Sequence, residues 1–149
     1  MVSFLPPIRR FLRAVRRVRR RSPAERRAVV RALGVTALMW LGVRTVSIRR
    51  IVRWTEVASG RPRTMSDDEE TRVLWAVAAV NRRLDPARPC LTQALAARYL
   101  LSRGGVPSVL QIGVARDEGE LQAHAWLERD GVVIIGGEQS PARYRRLSG

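Results

Sequence analysis

Pro89-Cys90-Leu91-Thr92-Gln93-Ala94-Leu95-Ala96 opens the stretch that decides the fold, and it runs on through Tyr99-Leu100-Leu101-Ser102-Arg103 to Gly104-Gly105. Apolar residues at 91, 94, 95, 97, 100 and 101 lie at helical spacing. They predict a helix of about fourteen residues that opens at or near Cys90 and stops at the glycine pair. Beyond it the period changes from helix to strand. Val109, Leu110, Ile112 and Val114 predict one strand, Leu121 to Glu128 a second, and Val132 to Ile135 a third, with turns at Asp117-Glu118-Gly119 and Asp130-Gly131. In the second strand, alternation places His124, Trp126 and Glu128 on one face and Ala123, Ala125 and Leu127 on the other.

Upstream the pattern is helical. Ser66-Asp67-Asp68-Glu69 has a capping serine and acids in the first turn, where the helix dipole favours negative charge. The helix it starts should bury Val73, Leu74, Val77 and Val80 and end before Asp85-Pro86. Ser22-Pro23-Ala24-Glu25 repeats the capping logic for a helix running into the low forties. Its apolar run from Ala32 to Val43 is short of the roughly 20 residues that a membrane span needs, so a buried or interfacial helix is expected. From Phe4 to Arg21, apolar residues at three- and four-residue steps alternate with arginines, which predicts an amphipathic helix with a basic face. No small-residue cleavage site follows it, so no secretory signal is read. Ser59-Gly60-Arg61-Pro62-Arg63 reads as the linker between two parts, 1–64 and 65–149.

The charge divides at the same place. The chain of 149 residues carries +15, and all 28 basic residues are arginine. Residues 1–64 hold 17 arginines and two acids, whereas residues 65–149 hold 11 of each. With no lysine, Schiff-base chemistry and the phosphate-loop lysine are excluded. One cysteine allows no internal disulfide and no four-thiolate metal site, and one histidine excludes a His-rich metal centre. No metal or organic cofactor is expected, and a reducing, cytoplasmic setting is.

A cysteine at a helix start followed by a histidine on a strand is what a thiol nucleophile requires. Thiolate is the reactive form, helix N-terminal amides favour negative charge, and imidazole within reach serves as base and then acid. Each residue also has a plain reading: Cys90 as a small buried apolar group, His124 as a hydrogen-bonded structural residue.

Three motifs add to this. The Cys90 stretch quoted above, the strand Leu110-Gln111-Ile112-Gly113-Val114, and Ala123-His124-Ala125-Trp126-Leu127-Glu128 together resemble the transglutaminase-like leader peptidase of lasso-peptide biosynthesis over about residues 65–137. The resemblance implies an α+β, papain- or transglutaminase-like core: a helix carrying the cysteine, packed on a small antiparallel sheet carrying the histidine, preceded by N-terminal helices. It implies Cys90 as nucleophile and His124 as base in removal of a leader from a ribosomally made precursor, with a separate cyclase closing the product. The third member in that family is usually an aspartate about twelve residues after the histidine, and that position here is Gly136. Glu138 is the expected substitute if strand pairing continues to it, with a backbone carbonyl or water as alternatives. Asp130 reads as a turn residue and Glu128 as an exposed neighbour of His124. Trp126 is either a substrate wall or packed on the Cys90 helix. The Cys90 amide is the natural oxyanion donor.

The basic part, taken alone, suits nucleic acid, an anionic membrane surface, an acidic peptide, or merely a solvated arginine face. Without recognisable nucleic-acid motifs, sequence-specific nucleic-acid binding is not expected. The resemblance adds that this chain is the split form, which lacks a strand-rich recognition domain and works with a separate leader-recognition protein. The alternative to an enzyme is a non-catalytic scaffold that brings leader and cyclase together.

Overall fold

The computed structural model describes residues 22–56, 62–84, 89–117, 120–137 and 140–147. The helix expected over Phe4 to Arg21, and Glu138, lie outside the described residues. Four helices come first: α1 (Pro23–Thr45), α2 (Ile48–Glu56), α3 (Asp67–Leu84) and α4 (Pro89–Arg103). Strands β1 (Val109–Asp117), β2 (Glu120–Arg129) and β3 (Val132–Ile135) follow, then a helical turn α5 (Ser140–Arg143) and the short strand β4 (Arg145–Arg146). The fold is α+β, as expected, with one antiparallel sheet in the order β3-β2-β1-β4.

The helix ends are set by local chemistry. Ser22 Oγ accepts from the Glu25 amide at 3.2 Å, and Glu25 returns the bond by accepting from the Ser22 amide at 3.0 Å, satisfying two amides that α1 itself leaves unpaired. At the far end of α4, the Val106 amide donates to Leu101 O and the Gly105 amide to Ser102 O, a Schellman arrangement at the predicted glycine pair. The Gly104 carbonyl then accepts from the Thr64 and Met65 amides, which ties the start of α3 to the end of α4.

One core holds the helices and the sheet together. Leu95, Ala96, Ala97 and Leu101 of α4 pack in one cluster with Val77 and Val80 of α3, Leu127 of β2 and Ile135 of β3. Ala32 and Met39 of α1 and Ile51 of α2 belong to the same cluster. Residues 22–56 therefore contribute to the same core as the helices and sheet that follow. Helix α2 has no element of its own in the sequence reading, although Ile51 and Thr55 form its buried side at a four-residue step. A polar tie reinforces the helix–sheet contact. Buried Glu70 of α3 accepts from Arg129 of β2 and, at 3.2 Å, from Arg63, and its carboxylate holds the Arg129 guanidinium above the usual arginine range.

Leu127 is fully buried and Leu121, on the same strand, is 70% exposed. Leu127→Ala is expected to lower unfolding free energy by about 2–5 kcal/mol, and Leu121→Ala by less than about 0.5 kcal/mol, in denaturant titrations.

Candidate active site

Cys90 sits in the first turn of α4 and is half-buried. His124 lies in β2, paired across the sheet with Gly113 of β1. Helix α4 packs on β2, but among the described residues no hydrogen bond joins the Cys90 thiol to the His124 ring. The ring's polar partner is elsewhere. His124 Nε2 lies 2.7 Å from the carbonyl oxygen of Gly136. A carbonyl only accepts, so Nε2 carries the proton; in the neutral ring this leaves Nδ1 with the free lone pair, the form a general base needs.

Gly136, where the resemblance leads one to expect an acid, thus supplies an acceptor from its backbone. The reason is conformational. Strand β3 ends at Ile135, and Gly136 and Gly137 follow at φ of +104° and +100°, so the chain turns a backbone carbonyl toward the ring; Glu138 lies outside the described residues. A Cβ at Gly136 would lie 2.5 Å from Trp126 Cβ and 2.8 Å from Trp126 Cα. No side chain fits there without moving the backbone, so an aspartate at this place is incompatible with the observed turn.

The surroundings of the ring are aromatic. Tyr144 stacks on His124 at 4.8 Å between centroids, and Trp126 lies at 6.1 Å. Gly113 leaves room for both aromatic residues: a Cβ there would come within 2.9 Å of the Trp126 ring and of Tyr144 Cβ. Trp126 is fully buried, so it offers no surface to a substrate, and the wall role read from the sequence is not met. Its indole instead donates to Glu128 Oε1 at 2.8 Å. Glu128, expected to be exposed, is 5% exposed and also accepts from Arg146 at 2.7 Å and from Gln111 at 3.4 Å. Asp130 is a turn residue as read, at φ +52° in the Asp130-Gly131 hairpin.

Strand β4 explains that arrangement. Arg146 pairs with Gly113 of β1 and reaches Glu128 from the sheet face that carries His124, bringing Tyr144 with it. Sequence reasoning missed both residues, because nothing within Arg143-Tyr144-Arg145-Arg146 announces a two-residue strand paired more than thirty positions back. Strand β3 pairs only with Leu127 to Arg129, so the part of β2 that carries His124 has one edge without a strand partner among the described residues.

The family described as the transglutaminase-like superfamily matches residues 35–149, which is well over half of the chain. The chain belongs to the transglutaminase-like superfamily. Its members are generally cysteine proteases or acyltransferases. The match starts inside α1, in keeping with the shared core of α1, α3 and α4. Searches among curated proteins and among solved structures return no match. The described residues include no group of three or more His, Cys, Asp or Glu placed to hold a metal ion.

In this transglutaminase-like chain, Gly136→Asp restores the acid by composition but not by geometry. It is expected to lower stability by about 1–3 kcal/mol in denaturant unfolding rather than raise it, and an unchanged or higher midpoint would contradict the tight turn.

Proposed function

We propose that this chain is a cysteine peptidase that removes the leader from a ribosomally made lasso-peptide precursor, working with a separate leader-recognition protein and a cyclase. The observation that carries the reading is the His124–Gly136 contact at 2.7 Å, which presets the ring as a base with a backbone carbonyl as its acceptor. Superfamily membership and the half-buried Cys90 at a helix start support the nucleophile.

In the proposed reaction, His124 Nδ1 takes the Cys90 proton as Sγ attacks the scissile carbonyl carbon. The tetrahedral oxyanion is stabilised by the Cys90 amide at the start of α4. Collapse breaks the C–N bond, the imidazolium returns its proton to the leaving amine, and the leader remains as a thioester on Cys90. Water, deprotonated by His124, then attacks the thioester and releases the leader carboxylate and the free thiol. A neutral carbonyl orients the imidazolium without offsetting its charge, so this centre should turn over more slowly than one with a carboxylate. Catalysis also requires a Cys90–His124 hydrogen bond that the described residues do not show, a contact that forms or tightens on substrate binding in many enzymes.

That missing thiol–imidazole hydrogen bond favours the second reading, a non-catalytic scaffold of the same maturation complex. Cleavage of a synthetic precursor, with the recognition protein present, separates them. Cys90→Ala and His124→Gln should each lower the rate by at least about a thousandfold. Iodoacetamide at mildly acidic pH should modify Cys90 at least about tenfold faster in the wild-type protein than in His124→Gln. Undiminished cleavage by Cys90→Ala would falsify the nucleophile; equal, slow alkylation together with no cleavage would favour the scaffold.

A further inference from the structure

Helix α1 is apolar on two opposite sides, and among the described residues only one of them is covered. Ala32, Thr36 and Met39 are buried against the rest of the core. On the other side Val30, Leu33 and Leu41 are 65%, 46% and 53% exposed, with Leu38 beside them at 48%. At steps of three, five and three residues they make one stripe along the helix, about 16 Å long. The stripe continues onto α2. A groove of about 320 Å³ between the two helices is lined by Leu38, Leu41, Val46 and Trp54, and Trp54 is 62% exposed. Apolar surface of this extent marks something that covers it.

Charge identifies the cover. From Arg26 to Thr55 the chain has seven arginines and no acid, and all seven are exposed. Arg26 and Arg27 precede the stripe, Arg44 follows it, and Arg49, Arg50 and Arg53 lie on α2. Arginines at both ends of an apolar stripe, with an exposed tryptophan at its border, suit a surface that is apolar inside and anionic over its whole area. By length and composition α1 could also cross a bilayer. Its covered side, however, packs on α3, whose first turn holds Asp67, Asp68, Glu69 and Glu70, and a span would draw those acids toward hydrocarbon. We infer that the outer side of α1 and α2 docks this protein onto an anionic lipid bilayer, with α1 lying along the surface. This docking is independent of the peptidase reading.

Flotation of the full-length protein with phosphatidylcholine vesicles, with and without about 30 mol% phosphatidylglycerol, tests it. Binding should be at least about tenfold stronger with the anionic lipid and should weaken as salt rises. Leu33→Ser/Leu41→Ser, and separately Trp54→Ser, should each reduce binding at least about tenfold while leaving the helical circular dichroism unchanged, since these positions are outside the core. Three results would overturn the inference: equal binding to neutral and anionic vesicles; anionic binding that the serine variants leave intact, which would mean adsorption by arginines alone; and no vesicle binding together with a dimer in sedimentation velocity that Leu33→Ser/Leu41→Ser abolishes, which would make the stripe a contact between two copies.

Discussion

The hydrogen bond from His124 Nε2 to the Gly136 carbonyl is the constraint on which the site is built. It demands that β3 stop at Ile135 and that the chain turn at positive φ so that a backbone oxygen, not a side chain, faces the ring. That turn rests directly on Trp126, whose buried indole is held in place by Glu128, and Glu128 in turn holds Arg146 of β4. Buried Glu128 has no other neutralising cation among the described residues, so its removal would leave Arg146 and the Trp126 N–H without their partner. Strand β4 then delivers Tyr144 onto the His124 ring. One imidazole is thereby fixed by a carbonyl at its Nε2 edge and by an aromatic stack on its face.

Much of the fold could be read because its determinants are local. Ser22 and Ser66 marked helix starts by their capping pattern, Gly104-Gly105 marked a helix end, and Asp130-Gly131 marked a hairpin; each works within a few residues of chain. The errors have the opposite character. Glu128 was read as exposed because strand alternation sets it beside His124, and only Arg146, eighteen positions later, explains its burial. Trp126 was read as a possible wall for the same reason, and the residues that cover it, Gly136 and Tyr144, come from segments without a sequence signature. The glycine where the resemblance leads one to expect an acid is the informative departure, and the carbonyl it offers the ring depends on a turn that sequence alone does not specify.

The arginine-rich half acquires a more definite place. Its described residues are part of the core, not an appendage, because Ala32, Met39 and Ile51 pack with the helix that carries Cys90. The seven exposed arginines from Arg26 to Arg53 therefore sit on the outer side of an integral layer. An enzyme of this organisation would present one side to a surface or partner and keep its thiol and imidazole in the charge-balanced half.

Because the chain has a single histidine, the nitrogen resonances of its imidazole are unambiguous, and ¹⁵N NMR of the uniformly labelled protein at neutral pH tests the central claim most directly. The expected result is a neutral ring protonated at Nε2 and bare at Nδ1, with a hydrogen-bond coupling to the Gly136 carbonyl. A ring protonated at Nδ1, with Nε2 as the acceptor, would contradict it: the Gly136 contact could not form, and the lone pair would lie on the wrong nitrogen for the proposed base.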